Sequence, residues 1–189
     1  MTAKSKVVTV FGSSRPRHGD PDYAPARELG WALSSKGFIV CTGGYGGVME
    51  AASRGAKDAG GRTLAVTAEF FQAKANPWVD EEIRVKTWQQ RLFELIRRGH
   101  AYVACKGGTG TLVELAVVWE MLNKGVLRRR PFVVLGEFWR PVLDRVREVE
   151  LGQPGPWGEA NNRLIYIAPT PERAAEYLAQ QLARAEKRP

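Results

Sequence analysis

The chain has 189 residues, 44% of them hydrophobic and 25% charged, which is the size and composition of one soluble domain. No apolar run approaches the ~18 residues needed to cross a bilayer, so we expect no membrane partner. Lysine and arginine outnumber the acids 28 to 20, for a net charge of +8. The basic residues are scattered, without interleaved aromatic residues or a DNA-reading motif, so we expect no nucleic-acid partner either.

The start of the chain and its two cysteines predict a cytoplasmic protein. Residues 1–6 lead directly into a strand-like segment, without the apolar region of a secretory signal. Cys41 and Cys105 each end an apolar run, where a free thiol usually behaves as a small hydrophobic residue. We therefore expect no disulfide, no metal site and no resident cofactor.

Short apolar runs alternate along the chain with segments of helical periodicity. The runs predict strands at 6–11, 38–42, 62–67, 82–86, 101–105, 132–135 and 164–167. Helices are expected from about 22 to 36, 48 to 59 and 88 to 98, from the end of the glycine turn at 111 to about 124, and from about 139 to 149 and 171 to 186. The last of these begins with a helix-start signal, Thr170 followed by Pro171.

Two segments are predicted to be irregular. The glycines and prolines of 152–158 indicate an exposed loop. Residues 68–80 are aromatic and lack periodicity, and for them two interpretations are open: a flap over a site, or core packing beneath a loop.

Alternating strands and helices predict an α/β fold, a single Rossmann-like domain over 1–189 with a doubly wound parallel sheet flanked by helices. In such sheets, ligands bind beyond the carboxyl ends of the strands, where the strand order reverses. Glycine-containing turns follow three of the predicted strands, at 12–14, 43–47 and 107–111. We expect these turns to converge on one crevice.

The turn at 107–111 joins a strand to a helix, and this context predicts a phosphate site. Helix N-termini carry N–H groups without intrahelical partners, and glycines let a phosphate approach them closely. The turn lacks the Gly-Lys-Ser/Thr ending of a P-loop, and the first strand–helix turn has one glycine, so neither triphosphate hydrolysis nor tight NAD binding is expected. Glu114 is expected in the first helical turn. It is either a catalytic carboxylate or an acid that interacts with the helix dipole, worth ~0.3–1 kcal/mol.

Taken together, these motifs resemble the LONELY GUY-type phosphoribohydrolases, a family long labelled lysine decarboxylases. The resemblance covers roughly the first three-quarters of the chain and rests on Phe11–Ser14, Gly43–Met49, Arg91 and Gly107–Glu114, in the family's order and spacing. It implies a Rossmann-like homodimer without a metal, which hydrolyses the N-glycosidic bond of adenosine 5′-monophosphate (AMP) or of cytokinin riboside 5′-monophosphates. The products would be the free base and ribose 5-phosphate. Lysine decarboxylation is not expected, because that reaction normally uses pyridoxal phosphate in a much larger fold.

The resemblance also assigns roles to residues. Glu114 would stabilise an oxocarbenium-like transition state and activate water, and Arg91 would orient Glu114 or hold the ribose phosphate. For Arg91 the alternative is a solvated arginine on a helix face, and for the turns at 12–14 and 43–47 it is a purely structural role. The expected phosphate and nucleotide contacts are Gly12, Ser13, Ser14, Gly44, Gly46, Gly47, Gly108, Thr109, Gly110 and Thr111.

Two positions depart from the family pattern. Lys106 stands where the family motif usually has proline, and Leu92 follows Arg91 where lysine is usual. Lys106 would either add positive charge to the phosphate site or mark a branch that binds without cleaving. The alternative function is therefore a non-catalytic binding or carrier protein for a nucleotide or a phosphorylated cofactor, such as molybdenum cofactor.

A homodimer or higher homo-oligomer is expected, with a dimer contact through the helix that follows the phosphate site. This helix is apolar over much of its surface, and large aromatic residues are typical of both cores and interfaces. The residues expected in the core or at the interface are Trp88, Val117, Val118, Trp119, Met121 and Leu122.

Overall fold

A computed structural model of the chain describes residues 5–127, 130–151 and 163–186, and its centre is a seven-stranded parallel sheet. The strands are β1 (Val7–Phe11), β2 (Ile39–Thr42), β3 (Thr63–Ala68), β4 (Glu81–Val85), β5 (Ala101–Ala104), β6 (Phe132–Leu135) and β7 (Ile165–Ala168). Every neighbouring pair is parallel, in the order β4-β3-β2-β1-β5-β6-β7. The predicted α/β fold is confirmed, with each predicted strand within about a residue of its position.

Helices follow most of the strands: α1 (Tyr23–Ser35), α2 (Val48–Asp58), α3 (Trp88–Arg98), α4 (Thr109–Asn123), α5 (Arg140–Leu151) and α6 (Pro171–Glu186). The connection from β3 to β4 instead contains a short 3-10 helix, Glu69–Phe71. The start signal of α6 functions as predicted, because the Arg173 N–H donates to Thr170 Oγ1 at 3.3 Å. The loop predicted at 152–158 lies outside the described residues. Among the helices that are described, none combines the length and apolarity needed to cross a bilayer.

The helices cover both faces of the sheet, and each face has its own hydrophobic core. The helices α1, α2 and α6 pack on one face, where Leu29, Val48 and Leu178 are buried. The helices α3, α4 and α5 pack on the other, where Leu95 and Leu143 are fully buried. Strands buried on both faces explain why the sequence shows near-continuous apolar runs rather than alternation.

The strand order reverses between β1 and β5. From β1 the chain builds outward through β2, β3 and β4, and it then returns to the other side of β1 with β5. The loops after these two central strands meet at the carboxyl edge, where the Ser13 N–H donates to the Lys106 carbonyl at 3.3 Å. This is the position at which doubly wound sheets form a ligand crevice.

Candidate functional site

A cavity of about 770 Å³ opens at this reversal point. Five parts of the chain contribute to it: the loop after β1, the loop after β2 with the start of α2, the segment after β3, α3, and the start of α4. Its lining residues are Gly12, Ser13, Ser14, Arg15, Tyr45, Met49, Phe71, Ala73, Trp88, Arg91, Leu92, Gly108, Thr109, Gly110, Thr111 and Glu114. The predicted residues at 12–14 and 108–111 therefore lie in one cavity with Arg91 and Glu114.

The N-terminus of α4 faces this cavity. A Cβ atom added at Gly108 or Gly110 would meet no atom within 4 Å, so both glycines border open space. The Leu112 N–H donates to the Gly108 carbonyl at 2.9 Å, which leaves the first N–H groups of the helix without an intrahelical partner. Their partial positive charge is therefore available to an anion in the cavity.

The loops after β1 and β2 hold each other in place. The Ser13 carbonyl accepts a hydrogen bond from the Val48 N–H at 2.8 Å. Gly47 has a φ of 71°, and a Cβ atom there would lie 2.3 Å from the Ser13 carbonyl oxygen. Gly44, Gly46 and Gly47 are not among the lining residues. The structural alternative fits Gly47, because this close approach requires a glycine.

The segment after β3 is tied to the same glycine turn. Asn76 donates from its backbone N–H to the Gly44 carbonyl at 2.7 Å and from Nδ2 to the Tyr45 carbonyl at 3.1 Å. Tyr45 Oη donates to the Ala68 carbonyl at 3.1 Å and accepts from the Ala68 N–H at 2.9 Å. Phe71 lines the cavity, whereas Phe70 is 67% exposed. This arrangement favours the flap interpretation over core packing.

Arg91 is buried and held by backbone carbonyls. Its Nε donates to Val66 O at 2.9 Å and its Nη2 to Gly43 O at 3.0 Å. Its guanidinium carbon lies 5.3 Å from the centroid of the Tyr45 ring. Burial lowers the pKa of Arg91 from its ordinary value, and the Glu114 carboxylate opposes that effect. With 7% of its surface exposed, Arg91 is not the solvated helix-face arginine of the alternative interpretation.

Gly43 is required by this arrangement. A Cβ atom at Gly43 would lie 1.6 Å from Arg91 Nη2, so any larger residue would displace the guanidinium. The sequence showed a glycine here but did not reveal this need, because Arg91 is 48 residues further along the chain.

Glu114 faces Arg91 across a short gap. Its Oε1 lies 3.9 Å from Arg91 Nη1, and 15% of its side chain is exposed. Burial raises the pKa of Glu114 to about 7, against the lowering effect of Arg91. Near neutral pH, Glu114 is therefore a mixture of carboxylate and carboxylic acid, which suits a group that exchanges protons.

The predicted position of Glu114 in the first helical turn is wrong. The helix α4 begins at Thr109, within the predicted glycine turn at 107–111, so Glu114 is its sixth residue and lies past the first turn. The dipole interpretation of Glu114 is weakened accordingly, because the dipole effect falls off within one turn.

The two departures from the family pattern have different consequences. The Lys106 side chain points away from the cavity: its Nζ lies 2.9 Å from Asp22 Oδ2 and 5.9 Å from the centroid of the Phe138 ring. The interpretation that Lys106 adds charge to the phosphate site is therefore wrong. Leu92 is 6% exposed and lines the cavity, so this position supplies an apolar wall instead of a charge.

The outer surface of α4 is largely apolar. Val118, Trp119 and Leu122 are buried in the protein's own core, and Val117 and Met121 pack against that core but are only half-buried. Trp88 is 36% exposed and lines the cavity. An interface through this region would therefore involve Val117 and Met121, together with Trp88 at the cavity.

Seven lining residues were not predicted as site residues: Arg15, Tyr45, Met49, Phe71, Ala73, Trp88 and Leu92. Arg15 had a usable signal, because it directly follows the predicted turn at 12–14. Tyr45 and Met49 lie in the motif at 43–49, and Phe71 and Ala73 lie in the segment for which a flap over a site was one interpretation. Trp88 was expected in the core or at an interface. Within the described residues, no three His, Cys, Asp or Glu side chains are grouped to hold a metal ion.

Comparisons with known proteins agree with this architecture. A cytokinin riboside 5′-monophosphate phosphoribohydrolase of Mycobacterium marinum is 32% identical over 128 residues, which is 63% of this chain and 67% of that protein. A protein of Oryza sativa subsp. japonica, named a probable cytokinin riboside 5′-monophosphate phosphoribohydrolase, is 29% identical over 96% of this chain and 75% of its own length.

Among solved structures, the molybdenum cofactor binding protein of Rippkaea orientalis superposes with a TM-score of 0.74 at 24% identity, over 95% of this chain and 98% of that one. The fold is therefore shared with this molybdenum cofactor binding protein. The family model described as the SLOG cluster4 family matches residues 5–140. These residues include every segment that carries the resemblance to the LONELY GUY-type proteins, and the chain belongs to the SLOG cluster4 family.

Proposed function

We propose that the chain is a phosphoribohydrolase, which cleaves the N-glycosidic bond of a purine or cytokinin nucleoside 5′-monophosphate. The observation that carries the proposal is the Glu114–Arg91 pair, 3.9 Å apart and in the same cavity as the N-terminus of α4. The cavity therefore contains both Glu114, an acid with a pKa of about 7, and a proposed anion site. The names of the two sequence relatives support the same reaction.

In this proposal, the phosphate binds at the N-terminus of α4 and C1′ of the ribose lies beside Glu114. The C1′–N bond breaks and its electron pair leaves with the base, while the Glu114 carboxylate stabilises the positive charge that develops on the ribose. Glu114 accepts a proton from water as the water oxygen bonds to C1′. A proton is then delivered to the base, so that water is consumed and free base and ribose 5-phosphate are formed.

Arg91 holds Glu114 in the ionised form during this step. The Nε and Nη2 groups of Arg91 already donate hydrogen bonds to Val66 O and Gly43 O, so Nη1 is the guanidinium nitrogen that faces the carboxylate. Activity that needs the Glu114 carboxylate rises with pH and levels off above about pH 7.

The test uses chromatography to measure the release of free base from AMP and from a cytokinin riboside 5′-monophosphate. We expect Glu114→Gln and Arg91→Met each to lower kcat/KM by at least ~100-fold, the scale of a general acid–base contribution. Glu120→Gln is the matched control, because Glu120 is an exposed glutamate of the same helix, paired with Lys124. Wild-type protein that releases no base from either substrate would contradict the proposal.

A second candidate is a protein that binds a nucleotide or phosphorylated cofactor without turnover. The observation that favours it is Leu92, which places an apolar side chain in the cavity where the resembling family usually has lysine. The solved structure of similar fold is named as a molybdenum cofactor binding protein. Saturable binding of AMP without release of adenine would support this candidate over the hydrolase.

We also propose a homodimer in the cytoplasm. Val117 and Met121 of α4 pack against the core but are only half-buried, and the apolar surface that they leave uncovered supports the dimer. Cys41 and Cys105 are free buried thiols, which fits a reducing compartment.

A further inference from the structure

A ligand that ends in phosphate needs more positive charge than α4 supplies. A phosphate monoester carries about −1.5 to −2 charges at neutral pH, whereas a helix N-terminus is equivalent to roughly +0.5. A cationic side chain at the same end of the cavity would supply the difference.

Two of the three cationic side chains near the N-terminus of α4 already have partners. Arg91 is buried, bonded to two backbone carbonyls and opposite Glu114. Lys106 pairs with Asp22 outside the cavity. Of the described lining residues, only Arg15 is a cation besides Arg91.

Arg15 lies where a phosphate contact is possible. It directly follows Ser14, and its backbone N–H donates to Ser13 Oγ at 3.1 Å, which fixes the turn of the loop beneath it. Its side chain is exposed at the cavity and has neither an ion pair nor a hydrogen bond within the described part of the chain. The guanidinium is therefore free to bind a ligand.

We propose that Arg15 selects ligands that end in a phosphate monoester, by pairing with the phosphate oxygens that the N-terminus of α4 leaves free. A guanidinium presents a planar fork of donors that matches two phosphate oxygens at once. A nucleoside without phosphate would leave this fork without a partner, so Arg15 distinguishes a nucleotide from its nucleoside. The inference rests on the proposed function for the identity of the substrate.

The test compares Arg15→Met with Arg17→Met. Arg17 lies two residues further along the same loop, is exposed and does not line the cavity, so its replacement removes the same charge from the same region. Affinities are measured by calorimetry for ribose 5-phosphate and for adenosine, neither of which the proposed reaction consumes. Rates of adenine release are measured with AMP.

We expect Arg15→Met to weaken ribose 5-phosphate binding about 10- to 100-fold, the range of hydrogen bonds to charged groups. Its affinity for adenosine should stay within about twofold of wild type, and Arg17→Met should bind both ligands with affinities within about twofold of wild type. Three results would overturn the proposal: unchanged ribose 5-phosphate binding in Arg15→Met, equal losses in both variants, or no ribose 5-phosphate binding by wild type.

The binding and activity measurements separate this proposal from the proposed function. Wild type that binds ribose 5-phosphate through Arg15 but releases no adenine from AMP contradicts the hydrolase and supports the phosphate-selecting role. Adenine release at equal kcat/KM by wild type and Arg15→Met supports the hydrolase and overturns the role of Arg15.

Discussion

Replacing Glu114 with glutamine should change how the stability of the protein depends on pH. Burial raises the pKa of Glu114 from an ordinary 4.5 to about 7 in the folded protein. Between these values the folded state keeps a proton that the unfolded state loses. The free energy of unfolding therefore falls by ~1.4 kcal/mol per pH unit in the wild type.

Over this interval the loss amounts to about 3 kcal/mol and is complete above about pH 7. Glutamine does not ionise, so the stability of Glu114→Gln relative to wild type should rise by about 3 kcal/mol between pH 4.5 and pH 8. Only the change with pH is predicted, because the loss of the contact with Arg91 adds a constant difference.

The assay is urea unfolding of both proteins at several pH values, in buffers without phosphate, because a bound anion would stabilise the folded state. Glu120→Gln removes an exposed carboxylate from the same helix and should keep the wild-type dependence, because its Glu114 is unchanged. A difference between Glu114→Gln and wild type that stays flat from pH 4.5 to pH 8 would refute the reasoning that burial raises this pKa.

Three other substitutions test the surroundings of the site. Gly43→Ala places a Cβ atom 1.6 Å from Arg91 Nη2 and should abolish base release, whereas Gly46→Ala, whose Cβ atom would have no neighbour closer than 3.6 Å, should retain it. Equal rates of base release in the two variants would contradict the view that Gly43 is needed to position Arg91. Asn76→Asp removes the Nδ2 donor and sets a carboxylate against the carbonyls of the glycine turn, so we expect a loss of about 2 kcal/mol, measurable as a Tm lower by roughly 4–8 °C. Val117→Arg should convert the proposed dimer to a monomer in sedimentation velocity, and wild type that sediments as a monomer would exclude the dimer.

The sequence was informative about the fold because the five inner strands are buried on both faces and appear as short apolar runs. Thr170 and Pro171 likewise marked the start of α6 through purely local chemistry. The exact start of α4 was not predicted, since helical geometry begins at Thr109, within the predicted glycine turn at 107–111. That difference moved Glu114 out of the first turn.

The site could be predicted only where its residues lie in short motifs. The turns at 12–14 and 108–111 are contiguous in sequence, and parallel strands bring their carboxyl ends to one edge of the sheet. Phe71 and Trp88 reach the same cavity from segments without a motif, and no local signal distinguishes them from core residues.

By itself, the sequence determined the parallel sheet, the glycine turns at its carboxyl edge and the resemblance to a family, because all three depend on local residue patterns. Only the tertiary structure decided the environment of each charged side chain. It buries Arg91 and Glu114 together, turns Lys106 outward to Asp22 and leaves Arg15 open at the cavity. The physical reason is that burial and charge pairing depend on neighbours that can be tens of residues away in the sequence.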